Sequence, residues 1–555
     1  MKKVLCFTER LVLCGYITLL VIANPFRFSA NLQTGFKAIA GITKSNDVPG
    51  KKLKVELLSP QPETPINKIK QVFKLKTKNE NGVINRGGLN QASALTLRTW
   101  TGATNNTFNT ATNWNPNGIP SSTDSCVIVL ATNKTISLNA ASTIGALYVS
   151  LSGSNNVLRV DAVSNALTIN GTTTLKATGG NGNTQLQINV GNGGSVTYGG
   201  SLTCTGFSAN QGIIFPVLGA GGTTGTVTFK GDVTYANAVA SSSTNLPGTA
   251  IFDANGTQTI NNISSLYINY LPSTVLFGST NTPTVTITGQ QGTWFPLNNV
   301  TVKANSKLIL PGGATSQDGG TLNNASGAGT LTLNSGSILQ IGADQGDWGL
   351  ATGSLNGVAG SNFPGVYSSY SFNAASIVEY NSNNGVNQTV YNPPIYGHLT
   401  LTNGNGTGAT TKTAGGNLTM NGNVTINTLA TFDASAFSHS LQGNWINAGT
   451  FTANTSTVTF NGTPAQSISG ASITTFNSLT INNTSGTGVT LSQAINAGGT
   501  LTMSSGHLFT TSANILTLTS SAISTAGTSA STSYVDGPMI IQKNTAGSTM
   551  LNFPI

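Results

Sequence analysis

From about Arg98 onward the chain consists of short runs in which an apolar residue alternates with Thr, Ser or Asn. Segments 329–336 (GTLTLNSG), 416–422 (GNLTMNG) and 499–506 (GTLTMSSG) are near-copies, and in each of them Leu or Met alternates with Thr. A period of two is typical of a strand with one buried face. Gly, Asn and Ser between the runs predict turns. The pattern therefore predicts an all-β body.

A longer repeat is also visible. Segments 376–381 (SIVEYN) and 456–461 (STVTFN) are 80 residues apart, and so are 398–409 and 478–489. A weaker third copy covers 250–270. Self-similarity of this kind indicates a repeat architecture.

The spacing of equivalent apolar positions distinguishes two architectures. The steps are 19 to 22 residues along Val378, Leu399, Leu418 and along Val458, Leu479, Leu501. A solenoid unit has roughly 20–45 residues, whereas an Ig-like sandwich takes roughly 100. The sequence therefore favours a right-handed parallel β-helix, with tandem Ig-like β-sandwiches as the alternative.

The low content of charge fits such a stack. Charged residues make up 7% of the chain, against about 25% in ordinary soluble domains. In a β-helix, outward residues lie about 4.8 Å from their equivalents in the next coil, so like charges repel and Thr or Asn can form ladders. The inward positions of the 456–483 region are predicted to be Val458, Phe460, Ile468, Leu479 and Ile481.

The net charge of +9 is carried by one end of the chain. Residues 1–98 have a net charge of +11, and residues 99–555 have a net charge of −2. A nearly neutral body cannot neutralise a phosphate backbone, so nucleic acid is excluded as its partner. The Pro/Lys-rich stretch 24–97 predicts a flexible basic linker, with a patch for an anionic surface as the alternative.

The first residues indicate export. Lys2, Lys3 and Arg10 precede an apolar run over 11–23, which predicts a signal peptide at 1–23 and a secreted or cell-surface protein. An uncleaved anchor helix is the alternative. Of the four Cys, Cys6 and Cys14 fall within this signal. Cys126 and Cys204 are predicted to be buried thiols, with a disulfide between them left open.

Three segments carry a family resemblance. Segment 98–129 (RTWTGATNNTFNTATNWNPNGIPSSTDSCVIV), segment 443–470 (GNWINAGTFTANTSTVTFNGTPAQSISG) and segment 533–555 resemble the secreted and surface β-solenoid repeat proteins of Bacteroidota-type bacteria. The resemblance implies an adhesin-like protein, and such proteins often use the type IX secretion route. It divides the body into a capping module at 98–130, β-helix repeats at 131–532, with the 80-residue repeat at 376–455 and 456–535, and a further β unit beginning at 533–555. We expect the native polypeptide to continue past Ile555.

Few residues suggest chemistry. His398, His439 and His507 have no second ligand at metal spacing, so they are predicted at exposed loop or ladder positions. Trp100 and Trp114 are predicted to cover the first coil.

Asp344 and Asp347, in IGADQGDWGLATG, are the one local acidic pair. Because the segment matches no complete calcium loop, it is predicted to be a polar corner loop against which Trp348 packs. The alternatives are a Ca²⁺ loop or, with Trp348, a glycoside-processing site. No catalytic residue and no cofactor other than this Ca²⁺ is assigned.

Three functions follow. The first is a non-enzymatic surface protein, adhesin-like or structural, that contacts a glycan or another surface ligand through neutral Asn, Thr and Ser ladders and associates with the cell envelope. The second is a β-helix polysaccharide lyase or hydrolase that uses Asp344 and Asp347. The third is a carbohydrate-binding repeat protein that uses exposed Trp294, Trp348 or Trp445. The sequence leaves the oligomeric state open.

Overall fold

The computed structural model describes 18–21, 53–56 and 96–542, the last range with gaps at 153–156, 163, 179–184, 190–192, 207–212, 219–224, 237–245, 263–267, 290–291, 297–298, 312–319, 323–327, 343–362, 366, 382–386, 405–407, 520–522 and 526–532. The chain divides into two units, Met1–Ala94 and Leu95–Ile555. In the first unit, strand Thr18–Val21 pairs antiparallel with Leu53–Glu56. Within the described ranges, no helix reaches the length and apolarity that a bilayer span requires.

The second unit is a parallel β-helix. In most coils the chain passes through three strands, and most strands pair in parallel with the equivalent strand of the next coil. Strand Ile268–Phe277 pairs with both Gly292–Pro296 and Asn299–Val302, so it runs from the second face onto the third. Val458 is in register with Leu479, and Leu479 with Leu501. These pairings confirm the predicted parallel β-helix, and tandem sandwiches, which need antiparallel sheets, are excluded.

Stacked strands form three faces. The first face is one sheet of 19 strands: Thr96–Trp100, Trp114–Asn115, Asp124–Leu130, Ala146–Leu151, Thr173–Ala177, Leu202–Thr205, Val233–Ala236, Thr257–Asn262, Thr284–Gly289, Lys307–Leu310, Ile338–Ile341, Ile377–Asn381, His398–Thr402, Val424–Ile426, Trp445–Asn447, Gln466–Ser469, Val489–Leu491, Leu508–Phe509 and Val535–Asp536. The second face comprises Lys134–Ser137, Val157–Asp161, Gln185–Asn189, Ile213–Leu218, Gly292–Pro296, Gly320–Leu322, Gln388–Val390, Thr410–Ala414, Ala430–Asp433, Thr450–Thr452, Thr474–Phe476, Ile495–Ala497, Leu516–Leu518 and Met539–Ile541. The third face comprises Ser142–Ile144, Ala166–Ile169, Ser195–Tyr198, Thr226–Phe229, Leu246–Phe252, Ile268–Phe277, Asn299–Val302, Thr330–Leu333, Ser369–Phe372, Ile395–Tyr396, Thr419–Met420, Ser438–Leu441, Thr457–Phe460, Ser478–Asn482, Thr500–Ser505 and Ile523–Thr525.

The 80-residue repeat does not correspond to a whole number of coils. Val378 lies on the first face, whereas its copy Val458 lies on the third. The repeat advances the chain by eleven strands, which is not a multiple of three. The predicted coil step from Leu399 to Leu418 is wrong. Leu399 is in register with Val424, not with Leu418.

The core lies along the axis of the helix. Val458, Phe460, Ile468, Leu479 and Ile481 are all 0% exposed, which confirms the predicted inward set. Burial of each such side chain contributes roughly 1.5–3 kcal/mol. Beneath the third face, the rings of Tyr198, Phe229, Phe252 and Phe277 stack on one another at 5.4, 4.9 and 5.4 Å between centroids.

Asn side chains connect successive coils at the corners. The Oδ1 atom of Asn423 accepts the backbone N–H of Asn444, and the Oδ1 atom of Asn444 accepts that of Ser467, both at 2.8 Å. His398 begins the same series, because its Nδ1 atom accepts the N–H of Asn423 at 2.8 Å. These bonds satisfy backbone donors that a tight corner leaves without a sheet partner.

A small aromatic cluster closes the N-terminal end of the described solenoid. Trp100 and Trp114 are 5% and 2% exposed, and their rings pack edge to face at 5.1 Å. Strand Trp114–Asn115 pairs antiparallel with Thr99 and Trp100, next to the short 3-10 helix Ala111–Asn113. Both Trp rings are thus buried beside the first coil, where an antiparallel strand takes the place of a further parallel one.

An ion pair supports this cap. Arg98 Nε lies 2.8 Å from Asp124 Oδ2. Burial by itself raises the pKa of Asp124, but hydrogen bonds from Arg98 and Ser121 and the charge of Arg98 outweigh burial and hold that pKa below its usual value.

Cys126 and Cys204 are free and buried, as predicted for small apolar thiols. Burial raises the pKa of the Cys126 thiol to about 12 and raises that of Cys204 further. Both side chains therefore act as unreactive parts of the core.

Candidate functional site

Most of the predicted acidic and aromatic site lies outside the described residues. This holds for Asp344, Asp347 and Trp348. Trp294 belongs to strand Gly292–Pro296, but its side chain is not among those described. The calcium loop and the glycoside-processing site therefore stay predictions.

The expectation that Trp445 is exposed is wrong. Trp445 is 0% exposed, and its indole N–H donates to Thr474 Oγ1 at 3.1 Å. Its ring packs edge to face on Phe451 at 4.9 Å. In the sequence NWIN the inward positions are Trp445 and Asn447, while Ile446 points outward, so Trp445 cannot stack on a glycan.

The expectation that all three His are exposed is also wrong, because His439 is 1% exposed. Its Nδ1 atom accepts the N–H of Leu418 at 3.3 Å, and its Nε2 atom lies 3.0 Å from the carbonyl of Ala434. This pair of partners requires the neutral ring with its proton on Nε2. Burial lowers the pKa of His439. His398 and His507 are half-buried.

The sequence interpretation missed one buried cation. Lys412 is 0% exposed, and its Nζ atom donates to Gln388 Oε1 at 2.6 Å. Burial lowers the pKa of Lys412 to about 7. Its position between the inward residues Thr410 and Ala414 was the available signal. Across the described part of the chain, no group of three or more His, Cys, Asp or Glu is placed to hold a metal ion.

The third face has a distinctive surface. None of its 16 strands contains Asp, Glu, Lys or Arg. The strands of the first and second faces contain eleven such residues: Arg98, Asp124, Lys134, Arg159, Asp161, Lys176, Lys307, Glu379, Lys412, Asp433 and Asp536. Three charged residues, Lys230, Asp253 and Lys303, each lie one residue past the end of a third-face strand.

Outward side chains of the third face form two columns along the axis. In one column the registered residues are Thr143, Thr168, Thr197, Thr228, Ile251, Leu276, Thr301, Thr332 and Ser371. In the other they are Ala166, Ser195, Thr226, Thr249, Thr274 and Asn299, followed by the pair Thr330 and Ser369.

The face continues toward the C-terminus, since strand Ser369–Phe372 contacts strand Ile395–Tyr396. The registered outward residues there are Ile395, Thr419, Ser440, Thr459, Thr480 and Thr502, with a second column of Ser438, Thr457 and Ser478. These columns define what we call the hydroxyl face. Its described positions hold Thr, Ser and Asn with Ala166 and three larger apolar residues, Ile251, Leu276 and Ile395.

Hydrogen bonds join some neighbours within the hydroxyl face. Thr330 Oγ1 and Ser369 Oγ lie 2.7 Å apart, and Asn299 Oδ1 accepts the N–H of Thr330 at 3.0 Å. The backbone thus holds a regular set of neutral donors and acceptors at the surface, and such a set can bind another neutral polar surface.

The body of this protein is a parallel β-helix with one uncharged hydroxyl face. No known family model, no curated protein and no solved structure matches the chain.

Proposed function

We propose that this chain is a non-enzymatic, secreted or cell-surface β-helical protein of adhesin-like type, which binds another surface through its extended neutral side chains. The observation that supports the proposal is the hydroxyl face, which contains no charged residue in any of its 16 strands. An adhesive surface of this kind needs no catalytic constellation.

Binding by such a face depends on the number of hydrogen bonds that it makes with its partner. A single hydrogen bond exchanged with water contributes only about 0.5–1.5 kcal/mol. Many of them on a preordered scaffold add up, because the backbone is already fixed before binding. The stacked aromatic rings under residues 198–277 support this rigidity.

The place of action is part of the same proposal. The signal at 1–23 supports export, and the resemblance of 98–129 and 443–470 to Bacteroidota-type surface solenoids supports association with the cell envelope. The basic stretch 24–97 would then link the body to an anionic surface.

The test is a panel assay with the full chain immobilised on beads. Beads are offered neutral and anionic polysaccharides, proteins and whole cells, and every polysaccharide supernatant is checked for released sugars. We expect retention of at least one surface without any degradation product. Release of reducing ends or unsaturated sugars would instead establish an enzyme, and retention of nothing would remove the adhesive function.

A further inference from the structure

We infer that the ligand of the hydroxyl face is an insoluble, uncharged polysaccharide whose chains lie flat along the axis of the β-helix. This inference rests on the proposed function and adds the binding face and the chemical class of the ligand.

The missing charge is not explained by stacking alone. Outward charges are accommodated on the first face, where Lys307 Nζ lies 3.7 Å from Glu379 Oε2 and Lys176 stands in register with Thr205. The second face likewise carries Arg159 and Asp433. All three faces have the same strand spacing, so a general stacking penalty would remove charge from each of them equally. We therefore attribute the absence of charged residues from the third-face strands to the surface that this face contacts.

The chemistry of the face selects a neutral partner. A polyanion would require Lys or Arg, and a polycation would require Asp or Glu, but the third-face strands contain neither. Thr, Ser and Asn are donors as well as acceptors, which matches the sugar hydroxyl, itself both donor and acceptor.

The shape of the face favours an insoluble polysaccharide over a soluble oligosaccharide as the ligand. Sites for small ligands are concave and enclose most of the ligand, whereas these columns lie on the outside of a sheet. At about 4.8 Å per strand, 16 strands extend over roughly 70 Å. The described outward columns contain no aromatic ring on which a single sugar could stack, so affinity must come from many repeated contacts along an extended chain.

Charge-introducing variants with matched controls test this directly. Thr228→Lys with Thr332→Lys changes two hydroxyl-face positions. Thr203→Lys with Thr286→Lys changes two outward Thr on the first face, which already carries Lys176 and Lys307. The full chain and both double variants are sedimented with microcrystalline cellulose, with chitin and, as an anionic solid, with calcium alginate, at low and high salt.

We expect the native chain to bind cellulose or chitin with little dependence on salt, because no charge is involved. The hydroxyl-face variant should bind at least about tenfold more weakly, a loss of ~1.4 kcal/mol, and the first-face variant should bind as the native chain does. Thr228→Val with Thr332→Val removes hydroxyls without adding charge and should weaken binding in the same direction. Melting curves by circular dichroism verify that each variant is folded.

Four results would overturn the inference. Equal loss in both Lys variants would place the ligand elsewhere, and salt-sensitive binding to alginate alone would assign binding to basic residues outside the hydroxyl face. Either result leaves the proposed adhesive function standing, as would binding only to a protein or a cell in the bead panel. Failure to bind any member of both panels would remove the adhesive function itself.

Discussion

Two segments of the β-helix present similar outer columns over different interiors. In the aromatic segment, residues 195–277, stacked rings from Tyr198 to Phe277 fill the space beneath the third face. In the polar segment, residues 387–483, the interior includes Gln388, Lys412 and His439, all at most 2% exposed. Yet Thr and Ser fill most of the outward columns of both segments, with Ile251, Leu276 and Ile395 as the exceptions.

The difference shows which property the chain keeps constant. A core can be filled by aromatic rings or by hydrogen-bonded polar groups, provided that each buried polar atom has a partner. The outer columns are kept similar although the packing below them changes. This separation supports a role for the surface that is independent of how each segment is stabilised.

The largest expected effect lies in the aromatic segment. Phe252→Ala removes the ring between Phe229 and Phe277 and should lower the free energy of unfolding by about 3–5 kcal/mol. The matched control is Ile251→Ala, whose side chain points outward next to it, and it should cost far less. Urea unfolding measures both; equal costs would mean that the ring stack is not the support of this segment.

A second prediction concerns a buried glutamine that both segments contain. The Nε2 atom of Gln466 donates to the carbonyls of Leu441 at 3.0 Å and Gly443 at 2.6 Å. Gln258 donates in the same way to Phe229 and Gly231. Gln258→Leu leaves two carbonyls without that donor and should cost about 2–3 kcal/mol. Gln466→Leu should cost more, because the Oε1 atom of Gln466 also accepts the N–H of Gly462 and the amide of Asn483, both at 2.9 Å. Thermal unfolding compares the two variants, and equal costs would mean that the Oε1 bonds of Gln466 contribute nothing to stability.

The third prediction separates the segments by pH. The pKa of Lys412 is lowered to about 7 in the folded state, from about 10.4 when unfolded. The unfolded chain therefore holds an extra proton between these values, and the Lys412 contribution to stability should rise with pH, by about 2–3 kcal/mol from pH 7 to 9. The raised thiol pKa of Cys126 and of Cys204 lowers stability over the same range in the native chain and in every Lys variant alike. Compared with the native chain, Lys412→Met should lack the Lys412 rise.

Lys307→Met is the control for that experiment, because Lys307 is paired with Glu379 on the partly exposed first face. It should retain the rise of the native chain. Chemical unfolding at several pH values gives the comparison, and an identical pH slope in native protein and Lys412→Met would refute the buried amine.

The smallest effect on stability is expected below about pH 6.5. Burial lowers the pKa of both His398 and His439, so their stabilising contribution is complete above about pH 6.5 and is lost as the pH falls. His439→Leu should therefore reduce the loss of stability between pH 6.5 and 5. Melting curves of the native chain and of His439→Leu at several pH values in this range give the comparison, and an identical loss in both would contradict a buried neutral imidazole at position 439.

The alternation of apolar and polar residues predicted the inward positions well where the inward residues are apolar. Val458 and Phe460 could be assigned from alternation alone, since each lies between polar residues. Alternation does not distinguish one face from another, so the passage of the 80-residue repeat from the first face to the third was hidden. It also fails where the buried residue is polar: Lys412 and His439 occupy inward positions that hydrophobicity does not mark.

The candidate surface was predictable in composition but not in location. Neutral Thr and Ser are spread over the whole body, and the explanation by stacking applied to all faces alike. Only the assignment of strands to faces shows that Lys176, Lys307 and Glu379 lie on the first face and not on the third. Trp445 failed as a candidate because an aromatic residue in NWIN can point either way, and here the inward direction is taken.

The most direct test of a binding role for the hydroxyl face is hydroxyl-radical footprinting of the full chain, with and without a bound insoluble neutral polysaccharide. Ile251 and Leu276 are outward reporters in the aromatic segment, and Ile395, 53% exposed, reports on the polar segment. Ile309 and Ile446 report on the first face. We expect the ligand to lower oxidation at the three third-face residues in both segments and to leave Ile309 and Ile446 unchanged. Protection of Ile309 and Ile446, or no protection of the third-face residues by a ligand that is bound, would contradict it.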